Sequence, residues 1–593
     1  MGPGWALGMG HIIGVSAAWE GWSGYVPIRH PDSECRPRHE VTDWVEWLLR
    51  NNHVVFHNMG YDMGWLRAEG VNYWPLSCDD TQNMAVMLNE NEFEYNLDAC
   101  CVRAGILGKD ETLLHSAMAN LGVARKDTKA NLWRLPARFV GPYAEQDAVA
   151  TLQLAEHLRP KLEAEHLEEA YRLEMDLVPM VHDMRQRGIP VNTETAARVQ
   201  MTVRTKCEQA LAEIGRLSGR SVSIDDCNSP EALAKIFDQF SIPYGRTAKT
   251  GQPSFTKDFL EDVDHPVGKL VRLARQNHDL SEKFIGNYIL GYEHRGRLHA
   301  EIHQLRDDDG GTRTYRISYA NPPLQQMPAR DPILGPLTRS IFEPERGERW
   351  GALDYSQQEP RLAVHYAALT KRHGADEAVA YYRDRADADF HQMVADMAGI
   401  DRWSAKIINL GMMYGMGAAK LARSLGLSLE EGQALLAQYH ANVPWVKGLT
   451  DFCSSAAQRR GYIRLLDGAR CRFDRWQPAW GRSGYALSHA RALDEWSGKK
   501  LERAYTHKAM NRLVQGGAAR QTKKAMLACY REGHLPMIQM HDELDFSFSR
   551  HEDAQRCTEI MTNVVQLVIP TKVDAEYGRN WGSAKYDWDK VAA

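Results

Sequence analysis

The sequence predicts a multidomain chain that combines α/β and α+β architecture, and three observations carry that prediction. A length of 593 residues exceeds what a single hydrophobic core organises, so two to four domains are expected. The front of the chain alternates short apolar runs with helical patterns, the mark of an α/β layer. The rear, from residue 331 onward, mixes strands with long helices and shows no internal repeat.

Taken in order, Ile12 to Ala18, Gly24 to Ile28 and His53 to His57 read as strands, and Glu145 to Leu158 reads as a helix. From Lys161 to Gly188 one long helix rich in Glu, Leu and Arg is expected, closing at Gly188-Ile189-Pro190. Residues 193–300 are mostly helical, with a polar loop from Tyr244 to Ser254 that carries Arg246, Lys249 and Gly251. Residues 303–330 read as polar and include Asp307-Asp308-Asp309-Gly310-Gly311. Trp350 to Ser356 reads as a strand, Arg402 to Gly415 as a helix, and Met537 to Phe548 as a hairpin.

Apolar residues at 44% and charged residues at 25% place the chain with ordinary globular proteins rather than disordered or membrane-embedded ones. No run of about 18 apolar residues occurs, so no membrane partner is expected. No basic-then-apolar leader is visible, and the 10 cysteines lack paired CxxC spacing. Reduced, mostly buried thiols in a cytoplasmic compartment are therefore expected. The net charge of -5 does not announce a polyanionic ligand. Its distribution is more telling: Arg402 to Arg472 holds 10 basic and 4 acidic residues, and Lys499 to Lys524 holds 8 and 1. Such stretches suit a groove that follows a phosphate backbone, or two solvated helix faces.

The chemistry is carried by carboxylates. In Leu353-Asp354-Tyr355-Ser356-Gln357-Gln358-Glu359-Pro360-Arg361 an apolar strand ends in Asp354, and a helix begins near Pro360. In Gln539-Met540-His541-Asp542-Glu543-Leu544 two β-rich runs bracket a turn that presents Asp542 and Glu543. Taken singly, Asp354 is equally readable as a helix cap and Asp542 as a solvated turn. Converging on one cleft, the two would satisfy two-metal phosphoryl transfer, in which hard oxygen ligands hold magnesium ions. A third element repeats every four residues: Arg402, Lys406, Leu410 and Tyr414 form one slanting stripe on a helix. Arg402 and Lys406 fall about one turn, roughly 6 Å, apart, which matches a polyphosphate tail. An ordinary amphipathic helix would show the same spacing.

With these three motifs in this order, the chain resembles the family A DNA polymerases, the DNA polymerase I type. DYSQQEPR at residues 354–361 and QMHDEL at residues 539–544 resemble the palm motifs, and RWSAKIINLGMMYG at residues 402–415 the fingers helix. The resemblance implies a right-hand polymerase of palm, fingers and thumb. It implies that Asp354 and Asp542 ligate two Mg²⁺ ions, with Mn²⁺ as an alternative, and that Glu543 supports them. It assigns Arg402, Lys406 and His391 (in Asp389-Phe390-His391) to the incoming deoxynucleoside triphosphate, with Tyr414 and Leu410 lining its site. Glu359 would exclude a sugar 2′-hydroxyl. Thr314 to Pro328 and Asn511 to Ala519 resemble the segments that follow primer-template DNA, which implies DNA contacts by Arg316, Gln325, Gln326, Asn511, Gln515 and His541. Asn228-Ser229-Pro230 and Thr247 to Thr256 look like the thumb.

The front third resembles the RNase H-like 3′→5′ exonuclease domain of the same family. His57-Asn58-Met59-Gly60-Tyr61-Asp62 and Tyr143-Ala144-Glu145-Gln146-Asp147 match its motifs, so Asp62 and Asp147 would ligate metal and Tyr143 would orient a water. The Asp-x-Glu pair of the family's first strand is missing, and that strand is expected upstream of Met1. Asp32-Ser33-Glu34 sits in a Pro-flanked polar loop and reads as a decoy. The implied layout is an exonuclease-like domain over 1–160, a connecting helix and thumb with the start of the palm over 161–330, palm over 331–390, fingers over 391–510 and palm again over 511–593. No 5′ nuclease is expected, and the short layout resembles a bacteriophage replicative enzyme acting as a monomer in host cytoplasm. A nuclease with a degenerate polymerase, or a non-catalytic primer-template binding protein, are the alternatives.

Leu410 departs from the family, where many members carry an aromatic residue. An aliphatic side chain offers no phenolic hydroxyl near the sugar 3′ position. Strong exclusion of dideoxynucleotides is therefore expected, relaxed in Leu410→Tyr; chain-termination assays that give equal selectivity for both proteins would refute this.

Overall fold

A computed structural model of the chain describes residues 3–591 except 109, 249, 330, 386–387, 414–415 and 480–484. The side chains of residues 398, 410, 412 and 413 also lie outside the described set. In the front domain, β1 (Gly14–Trp19) and β2 (Trp22–Pro27) form an antiparallel hairpin. Gly21 supplies the positive φ of 79° in its turn. A second pair, β3 (Val54–Phe56) and β4 (Cys78–Asp80), is parallel, and α1 (Met59–Ala68) makes the crossover between its strands. β4 leads directly into α2 (Thr81–Leu88), and from its C-terminal end the chain passes through short helices to α3 (Ala137–Glu165). Among the described residues the hairpin and the parallel pair are separate sheets, and α3 packs against both.

The single helix expected over 161–188 is two helices. His166 adopts a left-handed conformation (φ 55°) and ends α3, and α4 (Glu168–Arg187) then begins at a new angle. Leu167, fully buried between them, fixes the break by packing. The region expected to form the thumb follows as α5 (Thr193–Ser218) and α6 (Pro266–Asp279), which pack along each other. Asn192 caps α5, and Pro266 opens α6 where its missing N–H costs nothing. α6 runs on as a π-helical segment, Leu280–Leu290. The polar loop from Tyr244 to Ser254 folds as a small hairpin that pairs Gly245–Arg246 with Pro253–Ser254.

The stretch 303–330 is not simply polar. β5 (Glu301–His303) pairs with β6 (Ser318–Ala320), and Tyr315, Ile317, Tyr319, Leu324 and Met327 are buried. The palm sheet is built on β7 (Arg349–Tyr355), followed by α7 (Gln358–Leu369). The region expected to form the fingers contributes α8 (Phe390–Ala398) and α9 (Arg402–Met413). The chain returns through α10 (Ala509–Arg531), β8 (Ile538–Met540), β9 (Glu543–Phe548) and β10 (Val573–Gly578). Sheet order is β8-β9-β7-β10, antiparallel throughout. β7 is thus a central strand, which agrees with its apolar run from Trp350 to Leu353. All 10 cysteines are free thiols and eight are buried, as expected.

One apolar core joins the front domain to the fingers, a second holds the palm sheet against α4 and α5, and a third fills the thumb tip. A buried ion network ties the first two together. Glu174 on α4 accepts from Lys523 Nζ on α10 at 2.7 and 2.9 Å, and Arg520 bridges Glu174 to Asp467. Arg520 Nη2 also donates to the Ala170 carbonyl at 2.8 Å, and Lys523 Nζ to the Gln304 carbonyl at 2.6 Å. Two cations face two carboxylates with almost no exposure. The basic stretch 499–524 is therefore less of a phosphate groove than its composition suggested, because Arg520 and Lys523 are spent in the interior. Burial pushes the Lys523 ammonium down to about 8, against the pull of Glu174. Glu174→Ala would strand two buried cations against one carboxylate and cost about 3–5 kcal/mol. Thermal unfolding should record a clear drop in Tm, and a variant that melts with the wild type would disprove the role.

Candidate active site

Cross-strand register assembles the acidic site. Asp354 on β7 lies opposite Glu543 on β9 and opposite Asp574 on β10. Directly paired residues share a face of the sheet, so three carboxylates from three strands project from one face. Asp542 sits in the tight turn between β8 and β9, where His541 takes φ 61°, and its carbonyl accepts from the Tyr355 N–H at 3.2 Å. That bond pins the Asp542 turn to the end of β7. Burial first, then the charges of Asp542, Glu543, Asp574 and Glu576, pushes the Asp354 carboxyl up to about 8. Asp542 is also raised, chiefly by burial. Such crowded, half-buried carboxylates are the electrostatic signature of a site that takes cations. Glu543 is held from behind, where Trp581 Nε1 donates to it at 3.2 Å. Among the described residues no three His, Cys, Asp or Glu side chains form a self-sufficient metal cage.

Asp574 and Glu576 escaped the sequence reading. Their signal was the alternation Val573-Asp574-Ala575-Glu576-Tyr577, which marks a strand with an acidic face, but only pairing with β7 aims that face at Asp354.

The fingers bring the expected cations together. Asp389 caps α8 by accepting from the N–H groups of His391 and Gln392, and its other oxygen takes the Arg402 guanidinium at 2.6 Å. His391 Nδ1 lies 3.2 Å from Asn409 Nδ2, and buried Asn409 accepts from the Tyr439 hydroxyl at 2.8 Å. Burial lowers the His391 imidazole, and the charges of Arg402 and Lys406 add to that effect against Asp389. Lys406 is exposed on the same helix as Arg402. Asn409 and Tyr439, which orient His391, carry no sequence signal of their own. Leu410 is placed on α9, but its side chain lies outside the described residues, and so does Tyr414 entirely.

Around the cleft floor, Arg316 and Glu359 form an ion pair. Gln325 Nε2 donates to the Ile317 carbonyl at 3.1 Å and lies 3.4 Å from the Gln539 carbonyl, which binds its loop to the palm sheet. Gln326 and His541 are exposed, and Asn511 and Gln515, one turn apart on α10, are half-buried. Gln358, behind Glu359, donates to the Thr522 hydroxyl at 3.1 Å and locks α7 onto α10.

In the front domain, Asp62, Tyr143 and Asp147 also converge. Burial, then Asp80 and Asp147, pushes the Asp62 carboxyl up to about 7. Tyr143 is hydrogen-bonded to Asp147, and its hydroxyl is raised by burial and that carboxylate. Asp80 was missed, but it is committed elsewhere: it accepts the N–H groups of Asn58, Met59, Gln82 and Asn83 and so caps both α1 and α2. Asp32 and Glu34 are exposed around a turn, with Ser33 receiving the Ala137 N–H at 2.9 Å.

Palm, fingers and thumb in this arrangement define a right-hand polymerase fold. The chain belongs to DNA polymerase family A, whose family model matches residues 193–583. It is 34% identical to a DNA-directed DNA polymerase of Pseudomonas phage M6, over 98% of this chain and 91% of that one. It is 28% identical to the DNA polymerase DpoZ of Acinetobacter phage SH-Ab 15497, over 90% and 89%. The POL domain of Pol1 from M. smegmatis, solved with DNA primer-template and dNTP, superposes with a TM-score of 0.75 at 24% identity, covering 96% of this chain and 92% of that chain. Members of this family generally use divalent metal ions.

The raised Asp354 carboxyl has a stability consequence. The folded state binds this proton more tightly than the unfolded chain, whose value is 3.8. Its stabilisation is complete below that value and is lost as pH rises toward about 8. Asp354→Asn should raise the Tm of the metal-free protein by a few degrees near neutral pH and scarcely change it near pH ~4. Magnesium should stabilise the wild type more than the variant. Differential scanning calorimetry with and without chelator reads this, and a variant less stable than wild type in chelator would contradict it.

Proposed function

We propose that the chain extends a DNA primer along a template by two-metal nucleotidyl transfer, with Asp354 and Asp542 as the protein ligands. The supporting observation is the placement of these mutually repelling, largely buried carboxylates on the palm sheet, with the cationic helix Arg402–Met413 in the adjoining fingers. The donor set is all hard oxygen, which fits Mg²⁺ and also admits Mn²⁺. Bound there, the ions would lower the pKa of the primer 3′-hydroxyl and neutralise the leaving pyrophosphate. The residues supply the rest. Arg402 and Lys406 bind the triphosphate as cations, with Arg402 exchanging Asp389 for phosphate oxygens, and His391 donates a hydrogen bond to it. Glu543 buttresses the ligands. Arg316, Gln325, Asn511, Gln515 and His541 seat the primer-template, and Glu359 excludes a 2′-hydroxyl. Tyr414 and Leu410 complete the nucleotide site.

The front domain of this 593-residue chain is proposed to proofread weakly or not at all. Asp62 and Asp147 are two ligands where two ions need a bridging third, and Asp80 already accepts four backbone N–H groups. Loss of a bridging ligand removes several orders of magnitude in rate. A monomer working in a host cell's cytoplasm as a phage replicative polymerase is the setting that fits.

Magnesium-dependent extension of a primer with four deoxynucleotides tests the reading. Asp354→Ala should abolish extension and leave primer-template binding within about threefold of wild type. Wild type that binds but never extends would make the chain a binding protein, and brisk 3′→5′ removal of a mismatched primer end would overturn the account of the front domain.

A further inference from the structure

We propose that Arg316 is a positioning residue for sugar discrimination: it holds the Glu359 side chain in the orientation that excludes a 2′-hydroxyl. This rests on the polymerase reading above and adds to it a residue whose expected role was only DNA contact.

Both partners stand on backbone that cannot yield. Tyr315, just before Arg316, is fully buried in a left-handed conformation (φ 62°), and its hydroxyl donates to the Arg470 carbonyl at 2.6 Å. The Arg316 carbonyl accepts from the Thr312 hydroxyl at 3.0 Å, and the next carbonyl accepts from Gln325. On the other side, Glu359 lies in the first turn of α7. Gln357, in a left-handed conformation (φ 53°), accepts the Phe390 N–H at 2.7 Å, Gln358 is locked to α10, and Arg361 Nε donates to the Ser356 carbonyl at 2.8 Å. The only freedom left at the pair is side-chain rotation. A glutamate has three rotatable bonds, and an exclusion group that rotates excludes little. The ion pair between Arg316 Nη2 and Glu359 Oε1 removes that freedom, with side chains only 27% and 17% exposed.

The pair stands beside the acidic site, since Glu359 opens the helix that follows the strand end carrying Asp354. A guanidinium carries five N–H donors, and the bond to Glu359 leaves others for the primer end. One residue can thus touch the primer and set the exclusion group beside the incoming nucleotide.

The test is a double-mutant cycle on the ratio of deoxy- to ribonucleotide incorporation, with Arg316→Ala, Arg316→Lys, Glu359→Ala and the Arg316→Ala/Glu359→Ala double variant. Slower extension caused by lost primer contact lowers both nucleotides together and cancels in the ratio. Arg316→Ala should reduce discrimination by about tenfold, with the loss seen mainly as a lower KM for the ribonucleotide. Arg316→Lys, which keeps the charge, should restore most of it. In the Glu359→Ala background, Arg316→Ala should change the ratio no further, because its effect passes through Glu359. An unchanged ratio in Arg316→Ala, or independent effects that multiply in the double variant, would overturn the proposal. If a variant extends too slowly to measure, equilibrium binding of ribo- and deoxynucleotides to its complex with a dideoxy-terminated primer-template supplies the same ratio. Failure of wild-type extension would instead count against the polymerase reading, which keeps the two outcomes distinct.

Discussion

The geometry of this molecule depends on a charge-balanced cluster with almost no water access: Glu174, Arg520, Lys523 and Asp467. Glu174 belongs to the helix that leaves the front domain, and Arg520 and Lys523 belong to α10, the helix that backs the palm. Buried ion pairs seldom stabilise more than apolar packing would, but they punish misplacement severely. A helix shifted by a fraction of a turn would bury unpaired charge. The cluster therefore fixes the register between α4 and α10. α10 in turn receives Gln358 from the start of α7, immediately after the strand that carries Asp354.

The acidic end of the sheet is built on the opposite principle. There, carboxylates crowd against one another, and burial with mutual repulsion pushes the Asp354 carboxyl up to about 8. Asp354 faces Glu543 and Asp574 across both neighbouring strands, with Asp542 in the adjacent turn. Without a cation this arrangement is unfavourable, and it persists because β7 is a central strand whose ladder on either side holds it. Stability stored in the sheet and in the buried cluster is what lets the polymerase maintain an electrostatically strained site.

Around that site lie two ion pairs, on groups proposed to meet the substrate. Arg402 rests on Asp389, and Arg316 rests on Glu359. They differ in kind. The Arg402 pair is half-open to solvent and easily exchanged for phosphate, since exposed pairs are worth little. The Arg316 pair is more enclosed and joins two rigid backbones, which suits it to hold a side chain in place rather than to release one.

Sequence by itself determined the fold class and the family, and it singled out the candidate residues of the site. Asp354, Asp542, Arg402, Lys406 and His391 were legible because each lies in a short motif whose local structure, a strand end, a hairpin turn or a helix stripe, is dictated by neighbouring residues. The palm strand, the fingers helix and the hairpin all formed where apolar periodicity placed them. What escaped was non-local. Asp574 and Glu576 look like any alternating strand until β10 pairs with β7. Asn409 and Tyr439 hold His391 through contacts between helices. Arg520 and Lys523 read as surface charge in the sequence, yet partners 53 to 349 residues away draw them inside. The break at His166 came from burial of Leu167, which helix periodicity cannot register. Local propensity and motif spacing decide which elements exist and what chemistry they carry. Which charges face each other, and which are neutralised, is decided only when distant segments pack, because Coulomb energy and desolvation depend on distance in space rather than along the chain.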